Sequence, residues 1–258
     1  MTSTGVWYDW PLILAYHSIS DRRSDGLAVR VDDFDGQLGW LRRHGFRSMT
    51  LADYIAERPE KGSRIVIVTF DDGYADNFTN AFPLLRKHGF VATAFVVSDV
   101  VGTDHVFGWD VPKLDPSIGP APYQALQWDQ VEEMASSGVE IGSHTCTHPE
   151  LTGVTVEQCR DEVTRSRLDI ERRLGRGVVS FCYPRGMLDD NVVRAVETAG
   201  YQAAVVTPKR SGIPLSPFTL RRVGVYNNIT PLRFRAKITP LVRRHLERSM
   251  PAVATAAG

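Results

Sequence analysis

Cysteine is scarce in this chain, and no unbroken apolar run is long enough to cross a membrane. The three cysteines, Cys146, Cys159 and Cys182, are odd in number and lack paired spacing, which argues against a disulfide framework or a thiolate zinc site and fits a reducing compartment. The apolar run at 11–16 is too short for a signal peptide, and no Lys or Arg precedes it. From these absences we expect a cytoplasmic protein.

An excess of charge of one sign is missing as well. The chain has 30 Lys and Arg against 30 Asp and Glu, so no overall charge favours nucleic acid or an anionic membrane as a partner. Hydrophobic residues make up 43% of 258 residues, enough for a sizeable core, and the length suits one large α/β domain. We therefore expect a single domain that does not bind nucleic acid.

The chain alternates buried strands with amphipathic helices. The pattern Arg-x-His-Gly-Phe occurs at 42–46 and again at 86–90, where a helix ends and a strand follows. Such alternation predicts βα units around a mainly parallel sheet or barrel. Strands are expected at 12–16, 65–70, 91–97, 139–142, 178–183, 202–207 and 218–225. Helix starts are expected at Asp32 or Asp33, near Asp76, at Asp129, at Thr155, and at Asp189 or Asp190.

Two adjacent carboxylates, Asp71 and Asp72, follow the strand 65–70 without a spacer. Adjacent carboxylates repel when both are ionised, so a nearby cation or a shared proton stabilises the pair. Reactive groups of α/β folds collect at the carboxyl ends of parallel strands, which makes a metal the natural cation. A plain helix cap and turn is the alternative for Asp-Asp-Gly taken alone.

Histidines follow two other predicted strands. His144 and His148 come after the strand 139–142, and a helical segment would bring them to one face. One carboxylate oxygen with two imidazoles suits Zn²⁺ first, and also Co²⁺, Ni²⁺ or Mn²⁺. His17 follows the first strand, and a loop histidine bonded to the backbone is its alternative.

Two segments stand apart from this alternation. A stretch rich in Pro and Gly at about 99–127 reads as a lid-like insertion, where Trp109 and Trp128 could stack on a sugar ring or simply join the core. After a barrel at 1–230, residues 231–248 predict one basic surface helix, and 251–258 a disordered tail. Membrane contact through the basic helix is a minor alternative.

Taken together, these motifs resemble the NodB-homology polysaccharide deacetylases, carbohydrate esterase family four. Residues 69–73 (Thr-Phe-Asp-Asp-Gly) resemble the first family motif, 143–148 (Ser-His-Thr-Cys-Thr-His) the second, and 181–186 (Phe-Cys-Tyr-Pro-Arg-Gly) a variant of the third. The resemblance covers roughly 11–225. It implies a distorted (β/α) barrel of about seven strands, with Asp71 as catalytic base and Asp72, His144 and His148 as metal ligands.

Two departures from the family pattern affect the catalytic residues. The family arginine two positions before Pro184 is replaced by Cys182, and Arg222 is our candidate to pair with Asp71 instead, with a surface salt bridge as the alternative. The carboxyl-terminal Leu-x-x-His motif is absent. Residues 14–18 instead resemble the circularly permuted branch similar to the poly-N-acetylglucosamine de-N-acetylases, which implies that His17 is the general acid.

The resemblance implies a metal-dependent hydrolase that removes an N-acetyl group from an amino sugar in a polysaccharide, glycolipid or glycoside. Tyr183, with a backbone N–H near it, and Pro184, Trp109 and Trp128 are the expected substrate-binding residues. An O-acetyl esterase and a non-catalytic carbohydrate-binding protein remain alternatives. A zinc protease would need Glu where Thr145 stands, and the His-x-His strand of amidohydrolases is not found.

Overall fold

A computed structural model describes residues 11–60, 62–209, 212–227 and 229–248. The strands are β1 (Leu12–Tyr16), β2 (Ser18–Ile19), β3 (Ala28–Val29), β4 (Arg47–Ser48), β5 (Ile65–Phe70), β6 (Ala92–Val96), β7 (Glu140–Ser143), β8 (Ser180–Cys182), β9 (Ala203–Val206), β10 (Leu220–Arg221) and β11 (Val223–Gly224). The helices are α1 (Val31–Arg43), α2 (Leu51–Glu57), α3 (Phe82–His88), α4 (Trp128–Ser136), α5 (Val156–Leu174), α6 (Asp190–Thr198), α7 (Pro231–Lys237) and α8 (Pro240–Arg248). Within these ranges, none of the helices combines the length and the apolar character needed to span a bilayer.

The main sheet is a parallel barrel that almost closes. Its order is β10-β9-β8-β7-β6-β5-β1-β11, with β4 paired to β5 as a short addition. The two end strands are consecutive in the chain and separated by Arg222 alone, so one interrupted strand lies between β9 and β1. The predicted distorted (β/α) barrel is confirmed. Its eight-strand path corresponds to the expected seven when β10 and β11 are counted as one broken strand.

The central strands follow directly from their sequence. β1 and β5 have the predicted bounds, and every residue in both is buried, as expected for parallel strands covered by helices on one side and by the barrel interior on the other. The helices after β5 and β7 place apolar faces against this sheet. Core positions in α5 include Cys159, Val163 and Ile170, which are buried as the 3.6-residue period predicts.

Some helix starts differ from the prediction. Thr155 and Asp189 cap α5 and α6 with their side chains as expected. α1 instead begins after Arg30, which makes no side-chain cap, and α4 begins at Trp128, two residues earlier than the Asp129 cap implies. Acidic residues in a first turn interact with the helix dipole as well as serving as caps, so composition alone does not fix the first residue.

The helix expected near Asp76 begins as a π-turn. Residues Asn77–Ala81 form that turn, and α3 continues from Phe82. A π-turn inserts an extra residue into the helix and is frequent at functional sites. Its first residues lie beside the turn that follows β1.

The basic carboxyl-terminal segment is two helices rather than one. α7 ends at Lys237 and α8 begins at Pro240, whose ring and missing N–H prevent a continuous helix. Phe234 and Ile238 are buried against the core cluster that contains β1. The predicted disordered tail at 251–258 lies outside the described residues.

Candidate active site

The carboxyl ends of the barrel strands bring the predicted catalytic residues together. Asp71 and Asp72 follow β5, His144 follows β7, and His17 follows β1, so three strands deliver four side chains to one end of the barrel. This is the end where parallel α/β folds place their reactive groups, because the turns there are free of core packing.

Asp72, His144 and His148 converge as a set of residues that could hold a metal ion, called the metal-ligand set below. The Nε2 atoms of both histidines lie 3.5 Å from Asp72 Oδ1. One ligand atom from each residue falls within 4.8 Å of the others. Ligand atoms around a tetrahedral zinc ion are separated by about 3.4 Å, given bonds of about 2.0–2.1 Å. The three donors therefore fit a single divalent ion after small side-chain adjustments.

The two imidazoles are held differently. His144 Nδ1 is 2.8 Å from the Cys182 carbonyl oxygen, which selects the Nδ1–H tautomer and leaves Nε2 free to bind a cation. His148 Nδ1 is buried and has no hydrogen-bond partner among the described residues. Burial, together with the neighbouring His144, lowers the pKa of His148 to about 4, so this imidazole is neutral at neutral pH.

The charges at the metal-ligand set are coupled. Burial lowers the pKa of His144, but Cys182 and Asp72 act in the opposite direction and raise it well above its ordinary value. Burial alone would raise the pKa of Asp72, yet the hydrogen bond from His144 and the nearby histidines lower it. A proton shared in this way is what a divalent cation displaces when it binds.

The two histidines meet in a loop and not in the helical segment that would also have brought them to one face. Thr145 and His148 adopt left-handed backbone conformations, with φ of 70° and 62°, as does Asp72 with φ of 70°. The His148 N–H donates to Thr145 Oγ1 at 2.9 Å and closes the loop. Left-handed conformations cost non-glycine residues about 1–2 kcal/mol each, and such strain concentrates at functional sites.

Arg222 and Asp71 form a buried ion pair. The guanidinium donates to both carboxylate oxygens at 2.6 Å, and it also donates to Thr69 Oγ1 at 2.9 Å. Its Nη2 lies 3.1 Å from Cys182 Sγ. Arg222 is only 6% exposed, so the surface salt bridge considered as an alternative is not what the structure contains. The break between β10 and β11 is the point at which this side chain enters the barrel.

This pairing controls the charge of Asp71. Burial raises the pKa of the carboxyl group, but the charge and hydrogen bonds of Arg222 outweigh it and hold that pKa well below its ordinary value. Asp71 is therefore ionised throughout the physiological range. The guanidinium that pairs with Asp71 also contacts Cys182, the residue that stands where the family motif has arginine.

His17 faces Asp71 across the site. Its Nε2 is 3.9 Å from Asp71 Oδ2, and its ring faces that of Tyr226 at an angle of 29°, with centroids 6.1 Å apart. Asn77 Nδ2 donates to the His17 carbonyl oxygen at 2.7 Å and fixes the backbone at that turn. His17 thus lies within reach of the same bound group as Asp71.

Asp76 supports the residue after His17. It accepts hydrogen bonds from Ser18 Oγ, from the Ile19 N–H at 3.0 Å and from Asn77 Nδ2 at 3.1 Å. Burial raises the pKa of Asp76 to about 6 despite these bonds. The sequence shows Asp76 and Asn77 directly after the first motif, but their contact with the turn after β1 could not be deduced from it.

A cavity of about 590 Å³ opens over these residues. Tyr183 and Trp109 line it, as expected for substrate-binding residues, and Arg185 and Tyr226 line it without having been predicted. The Trp109 ring centroid is 4.6 Å from that of His148. The Tyr183 N–H donates to the Val205 carbonyl at 3.3 Å, so this amide takes part in the sheet.

Two expected substrate-binding residues lie elsewhere. Pro184 is buried beneath the short turn that begins there and is not among the residues lining the cavity. Trp128 begins α4, where its ring stands against Gly102 and beneath the Arg173 guanidinium, 5.7 Å away. The structure therefore favours the core alternative for Trp128. The proximity of Trp128 to the 99–127 insertion in sequence was the only feature that suggested stacking of its ring on a sugar.

A buried polar cluster fastens the 99–127 segment to the turn after β2. Arg23 lies between the rings of Tyr74 and Tyr123, at 4.5 and 4.4 Å, and donates to Asp110 at 3.0 Å. Tyr74 also donates to Asp110, at 2.6 Å, and accepts from Trp109 Nε1 at 3.1 Å. This cluster fixes the ring that stands beside His148. No sequence motif indicated it.

Comparison with known proteins agrees with this geometry. The chain matches the family described as polysaccharide deacetylase over residues 58–204, more than half of its length. The chain belongs to the polysaccharide deacetylase family. YxkH of Bacillus subtilis (strain 168), provisionally named a polysaccharide deacetylase, is 30% identical over 230 residues, covering 88% of this chain and 75% of YxkH.

Two further members of the family extend the comparison. The poly-β-1,6-N-acetyl-D-glucosamine N-deacetylase of Staphylococcus epidermidis is 23% identical over 214 residues, 78% of this chain and 69% of that protein. The solved structure of the Streptococcus pyogenes deacetylase PplD in complex with acetate superposes with a TM-score of 0.74 at 23% identity, covering 90% of this chain and 99% of that one. The predicted resemblance to polysaccharide deacetylases is confirmed, and the chain is a carbohydrate deacetylase by family.

Proposed function

We propose that this deacetylase removes the acetyl group from the nitrogen of an N-acetylated amino sugar, with one divalent metal ion as cofactor. The observation that carries the proposal is the juxtaposition of the Asp72, His144 and His148 donors with the ionised, Arg222-paired Asp71 and with His17. Each of these groups has a separate part in amide hydrolysis.

Asp72, His144 and His148 would hold the ion through one carboxylate oxygen and two imidazole nitrogens. Zinc suits that donor set first, and Co²⁺, Ni²⁺ and Mn²⁺ are alternatives. When bound, such an ion polarises the acetyl carbonyl and lowers the pKa of a water ligand. The His144 bond to the Cys182 carbonyl orients the ligand ring before any ion arrives.

Asp71 acts as the general base. One of its oxygens takes the proton of the attacking water, and Arg222 holds both oxygens in place so that the carboxylate does not rotate away. The pair also keeps Asp71 ionised and ready before each turnover. Because Arg222 lowers the basicity of Asp71, the carboxylate readily gives the proton up again.

His17 acts as the general acid. Protonated at Nε2, it donates to the departing amine nitrogen, which is a poor leaving group unless it is protonated. The Asn77 bond to the His17 carbonyl oxygen keeps the ring aimed across the site toward Asp71. Trp109 and Tyr183 are the proposed walls for the sugar ring, whose apolar face packs well against aromatic side chains.

Acetate release from a panel of N-acetylglucosamine conjugates tests the proposal. Activity should be lost with a chelator and restored by Zn²⁺, and Asp71→Asn should lower kcat by about 100-fold or more, the usual contribution of a general base, while retaining bound metal. Release from O-acetylated but not N-acetylated sugars, or an active Asp71→Asn protein, would contradict it.

A further inference from the structure

One part of the cavity wall is basic. It is built by the segment after β9 and by β10, α7 and α8, which contribute Lys209, Arg221, Lys237 and Arg243 to the lining. Arg185 lines the cavity beside Trp109. Among the described residues of the lining, the carboxylates are Asp71 and Asp72 alone.

Neither of those two carboxylates pairs with Lys209 or Lys237. Asp71 is neutralised by Arg222, and Asp72 belongs to the metal-ligand set. Lys113, another cation of the lining, is 2.8 Å from Asp110 and 3.7 Å from Asp25 and is therefore balanced inside the polar cluster. Lys209, Lys237 and Arg185 have no carboxylate within ion-pair distance in the part of the chain that the structure describes.

Lys237 is held in an unfavourable position for an isolated charge. Its Nζ donates to the Gly224 carbonyl at 2.6 Å and lies 5.6 Å from the Tyr226 ring, and burial lowers its pKa. A partly desolvated ammonium is stabilised by an anion that shares its surroundings. A bound anion beside Tyr226 would supply that partner.

We propose that the cavity binds an anionic substituent of the substrate, a phosphate or diphosphate ester carried by the N-acetylated sugar, against Lys209 and Lys237 with Arg221 and Arg243 beside them. This inference rests on the proposed deacetylase function. Arginine and lysine are the side chains that bind phosphate oxygens, and a cavity of about 590 Å³ is large enough for a ligand bigger than one sugar ring.

The same elements could instead suggest contact with an anionic membrane. α7 and α8 expose Leu232 and Leu241 at 75% and 80%, as surface-binding helices do. The cations named above, however, line the cavity, and this favours a ligand inside it. Binding to an anionic membrane would instead give the preference for a polyprenyl substrate that the test below can detect.

The test compares matched substrates on the metal-loaded enzyme. N-acetylglucosamine 1-phosphate and the neutral methyl glycoside of N-acetylglucosamine differ by the anion, and a nucleoside-diphosphate sugar and a polyprenyl-diphosphate sugar distinguish the two sources of a diphosphate. We expect kcat/KM for the phosphate esters to exceed that of the neutral glycoside by about tenfold per charged hydrogen bond. The excess should shrink as salt rises.

Two lysine variants and one control locate the effect. Lys209→Gln should reduce the ratio of kcat/KM, phosphate ester over neutral glycoside, by about tenfold. Arg160→Gln removes an exposed cation outside the cavity and should leave the ratio as it is. Lys237→Gln repeats the measurement at a second position of the basic wall.

The outcomes separate this inference from the proposed function. Equal kcat/KM for charged and neutral substrates, or a ratio insensitive to both lysine substitutions, overturns the anion site while the deacetylase stands. A preference confined to the polyprenyl substrate and absent for N-acetylglucosamine 1-phosphate also overturns it and indicates a membrane surface. No acetate from any N-acetylated substrate overturns the proposed function itself.

Discussion

At the scale of single residues, Asp71 combines two properties that usually conflict. A base should be strong, yet an ionised carboxylate in a buried site needs a compensating cation, and Arg222 provides it with two hydrogen bonds. Asp71, the proposed base, therefore stays ionised over the whole physiological range but is a weaker base than an unpaired carboxylate.

Replacing Arg222 should therefore shift the pH profile of the enzyme. Arg222→Lys keeps a positive charge but loses the bidentate geometry, so the pKa of Asp71 rises and the acidic limb of kcat/KM moves to higher pH. Activity at the optimum should fall by about 10- to 100-fold because the carboxylate is less well held. Steady-state acetate release between pH 4 and 9 measures both effects.

The control for this variant is Arg172→Lys, at a side chain that is 75% exposed on α5. It should leave the profile where it is. An unchanged acidic limb together with unchanged activity at the optimum in Arg222→Lys would contradict the role given to Arg222 in holding and ionising Asp71.

Asp76 predicts a pH dependence of stability. Its pKa is raised from 3.8 to about 6 in the folded protein, so the protonated form is favoured by folding. The associated stability is present below about pH 4 and is lost as pH rises through about 6, a loss of roughly 3 kcal/mol for a shift of about two units. Above about pH 6 the buried carboxylate is ionised, and its burial lowers the free energy of unfolding by a constant amount.

Asp76→Asn should remove this cost. The amide can keep the bonds from Ile19 and Asn77 at its oxygen and can donate to Ser18 Oγ, so the free energy of unfolding should decline less between pH 4 and 6 than in the parent. Urea unfolding at several pH values measures the decline. Exposed Asp104→Asn serves as the control. Parallel curves for Asp76→Asn and the parent would refute the prediction.

Sequence patterns indicated the candidate metal-ligand residues but not the way they meet. Asp72, His144 and His148 were predicted from strand ends and from family motifs, whereas the loop conformation that brings the two histidines together was not predicted. The left-handed conformations at Thr145 and His148 depend on tertiary contacts that compensate the strain, and local propensity carries no information about them.

At the scale of elements, the 99–127 segment is more firmly attached than its composition suggests. The sequence predicts a lid-like insertion with no periodic pattern. The structure shows two short 3₁₀ turns, Val111–Lys113 and Ala121–Tyr123, joined by loops. What holds the segment is the buried Asp110, which accepts hydrogen bonds from Arg23, Lys113 and Tyr74. Long-range polar contacts of this kind leave no periodic trace in a sequence.

Removing the charge of Asp110 should loosen the whole segment. In Asp110→Asn, Arg23 keeps its ion pair with Asp25 but loses the one with Asp110, and the loss of this buried charged hydrogen bond costs about 1–3 kcal/mol. Amide hydrogen exchange across 99–127 should accelerate, and kcat/KM should fall because Trp109 no longer lies firmly beside His148. Hydrogen exchange with mass spectrometry is the measurement.

Asp104→Asn changes the same kind of side chain at an exposed position of the same segment and should leave exchange unchanged. Equal exchange in Asp110→Asn and Asp104→Asn would mean that packing of Phe107 and Trp109, stacked with centroids 4.5 Å apart, fixes the segment without the polar cluster.

At the scale of the whole molecule, the barrel was predictable and its closure was not. Alternating strands and helices indicated parallel βα units, and the core strands β1 and β5 follow from runs of buried aliphatic residues. The interruption at Arg222 could not be deduced, because β10 pairs with β9, its neighbour in sequence, whereas β11 pairs with β1 near the other end of the chain. The division of 231–248 into α7 and α8, by contrast, was signalled by Pro240.

The metal-ligand set joins distant parts of this barrel, which predicts that metal binding stabilises the whole fold. Asp72 follows β5 and the two histidines follow β7, so an ion held by all three binds the folded chain and not the unfolded one. At a free zinc concentration of 100 times Kd the gain is about 2.7 kcal/mol, or roughly 5–10 °C in Tm. The shift should weaken toward acidic pH, because the raised pKa of His144 lets protons compete with the ion.

Differential scanning calorimetry of matched variants assigns that stabilisation to the proposed centre. Asp72→Ala should abolish the zinc-dependent rise in Tm, since the carboxylate is the ligand that both histidines face. Asp169→Ala disrupts a second grouping of potential ligands, Asp99, Cys146 and Asp169, and should leave the rise intact. The reverse result would place the tightly bound ion at that second grouping. Because Asp99 and Asp169 lie outside the catalytic cavity, the metal could then have no direct part in the chemistry at Asp71 and His17.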